Sequence, residues 1–232
     1  MPVPGYLAMT PARIRSAPAL PPRIGWMSCR FSPTGLHGLP RHLPKGSLLI
    51  LDDGGDCPLT DPDAVVSQLR ETAAALSLSG VLLDFQKPVE DPLFRLASRL
   101  CRELSCPVAV SQKYAEATHG PVFLDLIPPH RSLAAHIRPY AGRELWLELG
   151  PGAETVTVTS EGARFSAPRY PLPYCPFADL QLCCHYHLDL QEDRAVFTLL
   201  RQSGDLKALL QQGEDLGVTR YVGLFGDLPG LL

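Results

Sequence analysis

The residues of this chain that are best suited to chemistry are acids and amides that lie at the ends of short apolar runs. Carboxylates can act as general acids, general bases or hydrogen-bond acceptors, and amides both donate and accept hydrogen bonds. The polar residues in such positions are Asp52, Asp53, Asp84, Gln86, Gln112, Asp125, Glu148 and Asp227. A carboxylate placed this way also commonly caps the next helix or pairs with arginine, so its position alone does not define a site.

Eight apolar runs recur along the chain and would have to position these residues. They are GYLAM, RIGWMSC, GSLLILDDGG, SGVLLDFQKP, CPVAVSQ, PVFLDLI, ELWLELGPG and RYVGLFGDLP. Runs that are apolar on both faces are typical of parallel strands covered by helices. Helical patterns lie between some of them, at 63–78 with Asp61 or Asp63 as the cap, at 92–104 with proline in the first turn, and at 205–216 before Gly217.

This alternation predicts a single α/β domain over residues 1–232, built as a shortened (β/α)₈ barrel. An open doubly wound sheet is the alternative. The segments 10–22 and 31–45 are too rich in proline and glycine to form regular helices, so the first part of the barrel wall should be thin. The sequence TVTVTSEGARFSA alternates around Glu161 and Gly162, which predicts a β-hairpin inserted after the seventh strand at about 153–167.

Composition disfavours several classes of function. Hydrophobic residues make up 45% of the chain and charged residues 19%, enough for a full core. The net charge of −3 and the scattered Lys and Arg disfavour nucleic-acid binding. No signal peptide or long apolar run indicates export or a membrane, and the odd count of seven cysteines fits reduced thiols, so a cytoplasmic location is expected. No glycine-rich phosphate fingerprint is present, and no cofactor is predicted.

The segment SGVLLDFQKP, residues 79–88, resembles the signature of the family 18 glycoside hydrolases, the chitinase-like barrels, which is usually written DGxDxDWEYP. Asp84 retains the third acid of that pattern, and Pro88 matches its proline. Ser79 and Leu82 replace the first two acids, Phe85 replaces the tryptophan, and Gln86 replaces the catalytic glutamate. The resemblance therefore implies a barrel that has lost its proton donor.

Other segments are similar to the same family, over about residues 46–232. LLILDDGG resembles the third strand, WLELGPG the seventh, and the stretch from 205 onward the last helix and eighth strand, with Phe225 where the family often has tryptophan. PVFLDLI departs from the pattern, because it lacks the Met-x-Tyr-Asp of the sixth strand. The inserted hairpin resembles that of the subset acting on spore peptidoglycan, which implies a glycan of N-acetylglucosamine units and an association with spores.

The consequence of Gln86 follows from the family's chemistry. There the glutamate protonates the glycosidic oxygen while the N-acetyl group of the substrate attacks the anomeric carbon, a variant of the two-carboxylate scheme. An amide has no proton acidic enough, and loss of a general acid costs about 10²- to 10⁴-fold. Glutamine is nearly isosteric with glutamate and can still hydrogen-bond to a sugar, so binding can outlast turnover.

The resemblance implies a ligand site without a confident catalytic residue and without a metal. Phe85 and Phe225 match substrate-facing positions of the family and are expected to stack on sugar rings. The expected ligand-binding residues are Asp52, Asp53, Asp84, Phe85, Gln86, Asp125, Glu148 and Phe225.

A zinc site is conceivable at Cys183, His185 and His187, which would share one face if QLCCHYHLDL is a strand. Their spacing matches no recurrent zinc module, and buried thiols beside surface histidines are the ordinary interpretation.

The sequence is compatible with three functions. The first is a catalytically impaired barrel that binds an N-acetylglucosamine-containing glycan of the peptidoglycan or spore-coat type. The second is a protein-interaction scaffold that keeps only the fold. The third is an active glycosidase that uses another acid, namely Asp52, Asp53, Asp125 or Glu148. The missing glutamate favours the non-enzymatic functions.

Overall fold

A computed structural model describes residues 3–228, in which eight parallel strands form a closed barrel. Residues 1–2 and 229–232 lie outside the described residues. The predicted domain includes both of these ranges, and the last predicted run, RYVGLFGDLP, includes residue 229. The barrel closes because the first strand pairs with both the second and the last, which excludes the open-sheet alternative. The barrel strands are β1 (Gly5–Met9), β2 (Ile24–Ser32), β4 (Leu48–Asp52), β5 (Gly80–Asp84), β6 (Val108–Ser111), β7 (Val122–Leu124), β8 (Leu145–Glu148) and β14 (Val218–Leu224).

Five helices connect these strands: α1 (Pro11–Ser16), α2 (Pro62–Leu76), α3 (Asp91–Glu103), α4 (Leu133–Ile137) and α5 (Ser203–Asp215). The three predicted helices are confirmed as α2, α3 and α5. Asp61 caps α2 by accepting the N–H of Ala64 at 2.9 Å, and Gly217 ends the last helical segment with a positive φ of 84°.

The early wall of the barrel is thin, as predicted, but it contains one short helix. Residues 10–22 include the six-residue α1, so the expectation that they form no regular helix was wrong. Thr10 caps α1 by accepting the N–H of Arg13. A proline follows in the first turn, where its missing N–H costs no hydrogen bond of the helix. Residues 31–45 form no helix but contain β3 (Gly35–His37), which pairs antiparallel with the end of β2.

Strand alternation sorts side chains into two layers. Residues such as Leu51, Val81 and Leu83 point outward and pack against α2 and α3. Residues such as Leu48, Leu82 and Trp146 point inward and fill the barrel. Trp146 is fully buried there, with the Arg220 guanidinium 4.3 Å from its ring centre, so the interior is a packed core and only its carboxyl end is open.

The chain between β8 and α5 forms a second, five-stranded antiparallel sheet. Its strands are β9 (Gly152–Thr159), β10 (Gly162–Ser166), β11 (Phe177–Asp179), β12 (Cys184–Leu190) and β13 (Arg194–Arg201), in the order β10-β9-β13-β12-β11. The predicted hairpin is β9–β10, which turns at Gly162 with a φ of 127°. The inserted sheet, as we call these five strands, continues beyond that hairpin to Arg201.

Arg201 fastens the inserted sheet to the barrel. Its side chain is completely buried, and it donates to the carbonyls of Cys183 (3.1 Å), Ile127 (2.5 Å) and Leu182 (2.8 Å). These carbonyls belong to the turn before β12 and to the loop after β7. One guanidinium therefore joins both segments to the end of β13, the strand that carries Arg201. Burial lowers the pKa of Arg201 below its usual value.

Among residues 3–228, no helix combines the length and the apolar composition that crossing a bilayer would need.

Candidate functional site

Four acids meet at the carboxyl end of the barrel because each lies two residues beyond an inward-facing core residue. Asp84 follows Leu82 on β5, Asp125 follows Phe123 after β7, and Glu148 follows Trp146 on β8. Asp52 follows Ile50 on β4 and is the register partner of Asp84. The period of two along a strand therefore aims all four side chains at the barrel mouth, which we define as the open carboxyl end of the barrel.

Gln86 lies between two of these acids. Its Nε2 donates to Asp84 Oδ1 at 2.5 Å and to Asp125 Oδ1 at 3.4 Å. Gln112 Nε2 donates to the other oxygen of Asp125 at 2.9 Å, and Lys113 Nζ donates to the backbone carbonyl of Gln86. The amide thus uses its donors on the protein, while its exposed side chain remains at the surface of the mouth.

The mouth disfavours negative charge. Burial raises the pKa of Asp84 above its ordinary value; the hydrogen bond from Gln86 opposes this shift, and the charge of Asp125 adds to it. Burial also raises the pKa of Glu148, which accepts the N–H of Leu126 at 3.0 Å and lies near the charges of Asp84 and Asp125.

A small cavity of ≈ 50 Å³ occupies the centre of the mouth. Asp84 and Glu148 are its acids, and Met27, Phe123 and Leu224 belong to its apolar wall. The cavity is much smaller than the roughly 300–1,000 Å³ of a typical ligand pocket, so a larger ligand must contact the rim as well.

Three of the expected ligand residues are placed elsewhere. Phe85 has no exposed area, and its ring packs outside the barrel against Phe31 and Tyr114, at centroid distances of 5.9 and 5.4 Å. The expectation that it stacks on a sugar was wrong, because Asp84 faces inward and the next residue must face outward. Phe225 packs against the core around Leu228, and its neighbour Leu224 lines the mouth instead.

Asp53 is the third. It is 4% exposed, and its two oxygens accept the backbone N–H groups of Gln86 (2.9 Å) and Lys87 (3.0 Å). The carboxylate therefore orders the loop after β5 from below. It holds Gln86 in place and does not line the central cavity of the mouth.

Asp52 stands at the rim in an ion pair. Its carboxylate lies 2.9 Å from Nε of Arg30, and the same side chain accepts the N–H of Gly54 at 2.9 Å. The sequence did not single out Arg30 or Lys113, because neither belongs to a recognisable motif. The strand register, which sets Arg30 opposite Asp52, would have been needed to find the pair.

The conceivable zinc ligands are not brought together. His185 Nδ1 lies 3.0 Å from a carboxylate oxygen of Asp205, and Cys183 is buried against the core under α5. Within residues 3–228, no three His, Cys, Asp or Glu side chains are grouped so that they could hold a metal ion.

Comparison by sequence finds no relative: no family model matches the chain, and no curated protein matches it. Comparison of structures finds similar proteins. The spore cortex-lytic enzyme SleL of Bacillus megaterium is similar over 99% of this chain and 72% of its own, with 11% identity and a TM-score of 0.55. A class V chitinase variant of Nicotiana tobaccum is similar over 96% and 93%, with 10% identity and a TM-score of 0.59.

The fold is that of the family 18 chitinases. A chitinase of this family from Cycas revoluta, solved with an N-acetylglucosamine trimer, covers 94% of both chains at 12% identity and a TM-score of 0.55. The chitinase-like barrel of the present chain therefore matches that fold over almost its full length, although few residues are shared.

Proposed function

We propose that this chitinase-like chain is a pseudoenzyme that binds an N-acetylglucosamine-containing glycan at the barrel mouth without hydrolysing it. The observation that carries the proposal is Gln86, which stands at the end of β5 hydrogen-bonded to Asp84 and Asp125. In the family whose signature this segment resembles, that position holds the proton donor. An amide keeps the hydrogen-bonding capacity and loses the acid.

Two similar structures support the idea that glutamine is compatible with binding. The Nicotiana chitinase is a Glu→Gln variant in complex with NAG4, and a Cycas chitinase variant that carries a Glu→Gln change is in complex with (GlcNAc)4. In the present chain the exposed amide of Gln86, the ammonium of Lys113 and the half-buried Asp84 lie together at the rim. A sugar would lie across these groups because the central cavity is too small to enclose it.

The proposal is tested by calorimetric titration with a tetramer of N-acetylglucosamine. Asp84→Ala removes both a ligand contact and the acceptor that orients Gln86, so we expect affinity to fall by about tenfold or more. Asp56→Ala changes an exposed acid in the loop after β4 and should leave affinity unchanged. No binding at millimolar ligand, with both proteins folded, would overturn the proposal and leave a scaffold as the function.

A second candidate is a glycosidase that uses a different acid, and a specific observation favours it. Asp84 and Glu148 line the same cavity, and burial raises the pKa of both, as general acids require. Cleavage that disappears in Glu148→Gln but persists in Gln86→Ala would establish this alternative.

The proposed location is the cytoplasm, with association with spores as an extension suggested by the similarity to SleL. Spore assembly inside a mother cell would bring a glycan within reach of a cytoplasmic protein. Fractionation of cells and spores with an antibody against the chain tests this proposal.

A further inference from the structure

A second cavity of ≈ 430 Å³ lies on one face of the inserted sheet, away from the barrel mouth. Its floor is formed by β9 and β13, and its roof by residues 167–176, which we call the strap. The volume falls within the range of about 300–1,000 Å³ that is usual for small-ligand sites. It shares no lining residue with the central cavity of the mouth.

The floor of this cavity carries hydroxyl groups because of strand alternation. Thr155 pairs with Thr198 across β9 and β13 and with Ser166 across β9 and β10, so three hydroxyl side chains stand side by side. Thr157 lies two residues further along the same face. The opposite face of these strands holds the apolar residues that pack toward the barrel, such as Val156.

Two arginines add positive charge above the hydroxyls. Arg194 is oriented by a chain of hydrogen bonds: its Nε donates to Gln191 Oε1 at 2.6 Å, and Gln191 Nε2 donates to Asp189 Oδ2 at 2.8 Å. The carboxylate of Asp193 lies 4.0 Å from the same Nε. Within residues 3–228, neither Nη group of Arg194 makes a hydrogen bond or an ion pair with the protein. Arg169, on the strap, makes no side-chain hydrogen bond or ion pair with any described residue.

Two guanidinium groups with free N–H donors suit a carboxylate, because their planar forks can bind its two oxygens together. The neighbouring hydroxyls suit a polyhydroxylated ligand, since each can donate or accept. We propose that the cavity under the strap is a second ligand site that takes a sugar bearing a carboxylate. The cavity lining holds two arginines and one acid, Asp189, in a chain whose net charge is −3.

A shallow depression adjoins this cavity and reaches the loop after β7. Ser166 and Ala167 line both the cavity and this depression, which reaches Leu126, whose N–H binds Glu148. One glycan could therefore contact the mouth with a neutral sugar and the cavity with an acidic one. This continuity rests on the proposed function, whereas the acidic-sugar site itself does not.

The test compares N-acetylmuramic acid with N-acetylglucosamine, because the two sugars differ by one lactyl ether that carries a carboxylate. Glucuronic acid is the third probe and carries its carboxylate on the ring. Titration is followed by NMR shifts of the threonine methyl groups. We expect at least one sugar acid to shift Thr155, Thr157 and Thr198 and to bind about tenfold or more tightly than N-acetylglucosamine, with an affinity that falls as salt is added.

The variant Arg169→Gln/Arg194→Gln should weaken binding of the sugar acid by about tenfold or more. Arg95→Gln is the matched control, since Arg95 is an exposed arginine of α3 that pairs with Asp91 and does not line the cavity. If the double variant does not fold, Thr157→Val removes one hydroxyl from the floor with little change in volume and should weaken binding several-fold.

Failure of this site and failure of the mouth are distinguishable. Asp84→Ala should weaken binding of the neutral tetramer by about tenfold or more and leave the sugar acid unaffected. Equal affinity for the acidic and neutral sugars, or an unchanged affinity in the double variant, would overturn the acidic-sugar site whatever the mouth does.

Discussion

Gln86 makes several hydrogen bonds to its surroundings although its side chain is exposed. Its side chain donates to Asp84 and Asp125, its backbone N–H donates to the buried Asp53, and its backbone carbonyl accepts from Lys113. Both donors of the amide face carboxylates, which can only accept when they are ionised. The site is therefore built for an amide at this position, and a third acid would be repelled.

Replacing Gln86 by Glu should destabilise the fold at neutral pH. The variant loses two donors and places a third negative charge beside Asp84 and Asp125, so we expect the free energy of unfolding at pH 7 to fall by about 1–3 kcal/mol. At pH 4 the loss should shrink, because the raised pKa of Asp84 leaves less negative charge in the mouth than at pH 7. Urea denaturation at both pH values measures this.

Gln211→Glu is the control for that change. Gln211 also donates to an acid, Asp215, at 3.2 Å, but on the exposed surface of α5, where water screens the charges. Equal losses in the two variants would mean that the mouth places no special demand on an amide.

Glu148 should make the protein less stable as the pH rises. Its pKa is raised above the ordinary 4.5, so the unfolded chain releases this proton at a lower pH than the folded chain does. The contribution of Glu148 to stability is therefore complete below about pH 4 and is lost as the pH rises from there toward 7. Glu148→Gln, whose Oε1 can still accept the Leu126 N–H, should be more stable than the parent at pH 7 and equal to it at pH 4.

The same denaturation series checks this prediction. Glu116→Gln, at an exposed position, is the matched control and should change the free energy of unfolding by less than about 0.5 kcal/mol. A Glu148→Gln variant that keeps the parent's slope between pH 4 and pH 7 would contradict the raised pKa.

The sequence predicted which acids lie at strand ends but not which way each one points. Asp84 and Glu148 line the mouth and Asp125 accepts from Gln86 there, whereas Asp53 and Phe85 face away from it. Alternation along β5 contains that answer for Phe85 once Asp84 is placed inward. Asp53 could not be placed in this way, because its role depends on the N–H groups of a different loop.

At the level of elements, the inserted sheet depends on one buried arginine. Arg201→Met keeps much of the side-chain volume but leaves the carbonyls of Cys183, Ile127 and Leu182 without their donor. We expect the free energy of unfolding to fall by about 3 kcal/mol, measured by urea denaturation. Arg201→Lys should recover little, because an ammonium cannot span three carbonyls as a planar fork does.

Arg164→Met is the surface comparison for this variant and should change stability by less than about 0.5 kcal/mol. If Arg201→Met were equally mild, the arginine would not be what fixes the inserted sheet to the barrel.

Two glycines of α5 provide a paired test of how that helix sits on the barrel. A Cβ at Gly213 would overlap the hydroxyl of Tyr221 on β14, whereas a Cβ at Gly204 would meet nothing within 4 Å. Gly213→Ala should therefore destabilise by about 1–3 kcal/mol through overpacking. Gly204→Ala should be neutral or stabilising by up to about 1 kcal/mol, because alanine favours the helix. Thermal unfolding compares them, and the opposite order would contradict the packing of α5 described here.

The elements with strong local signals were predicted, and those defined by distant contacts were not. Caps and turn residues such as Asp61, Gly162 and Gly217 marked the ends of α2, the β9–β10 hairpin and α5. The three later strands of the inserted sheet follow a proline-rich stretch and alternate poorly. The pairing of β13 with β9, and of β12 and β11 beyond it, becomes visible only in three dimensions.

At the level of the whole molecule, the barrel keeps the family's architecture with almost none of its sequence. Identities of 9–12% accompany TM-scores of 0.52–0.59. An inward aliphatic core and outward residues under helices constrain residue identity far less than residue type, so many sequences fit one barrel. The fold could thus be predicted from pattern, while the proposed function depends on a few mouth residues.

The most direct test of the account is a long incubation of the protein with a saturating tetramer of N-acetylglucosamine, followed by mass spectrometry of the sugar. Calorimetry on the same mixture establishes that the mouth is occupied. If the mouth binds the tetramer without hydrolysing it, we expect as much intact tetramer as in a protein-free control, because Gln86 cannot supply the proton that the leaving oxygen needs. Trimer, dimer or monomer accumulating in proportion to the bound protein, and disappearing in Glu148→Gln, would contradict it.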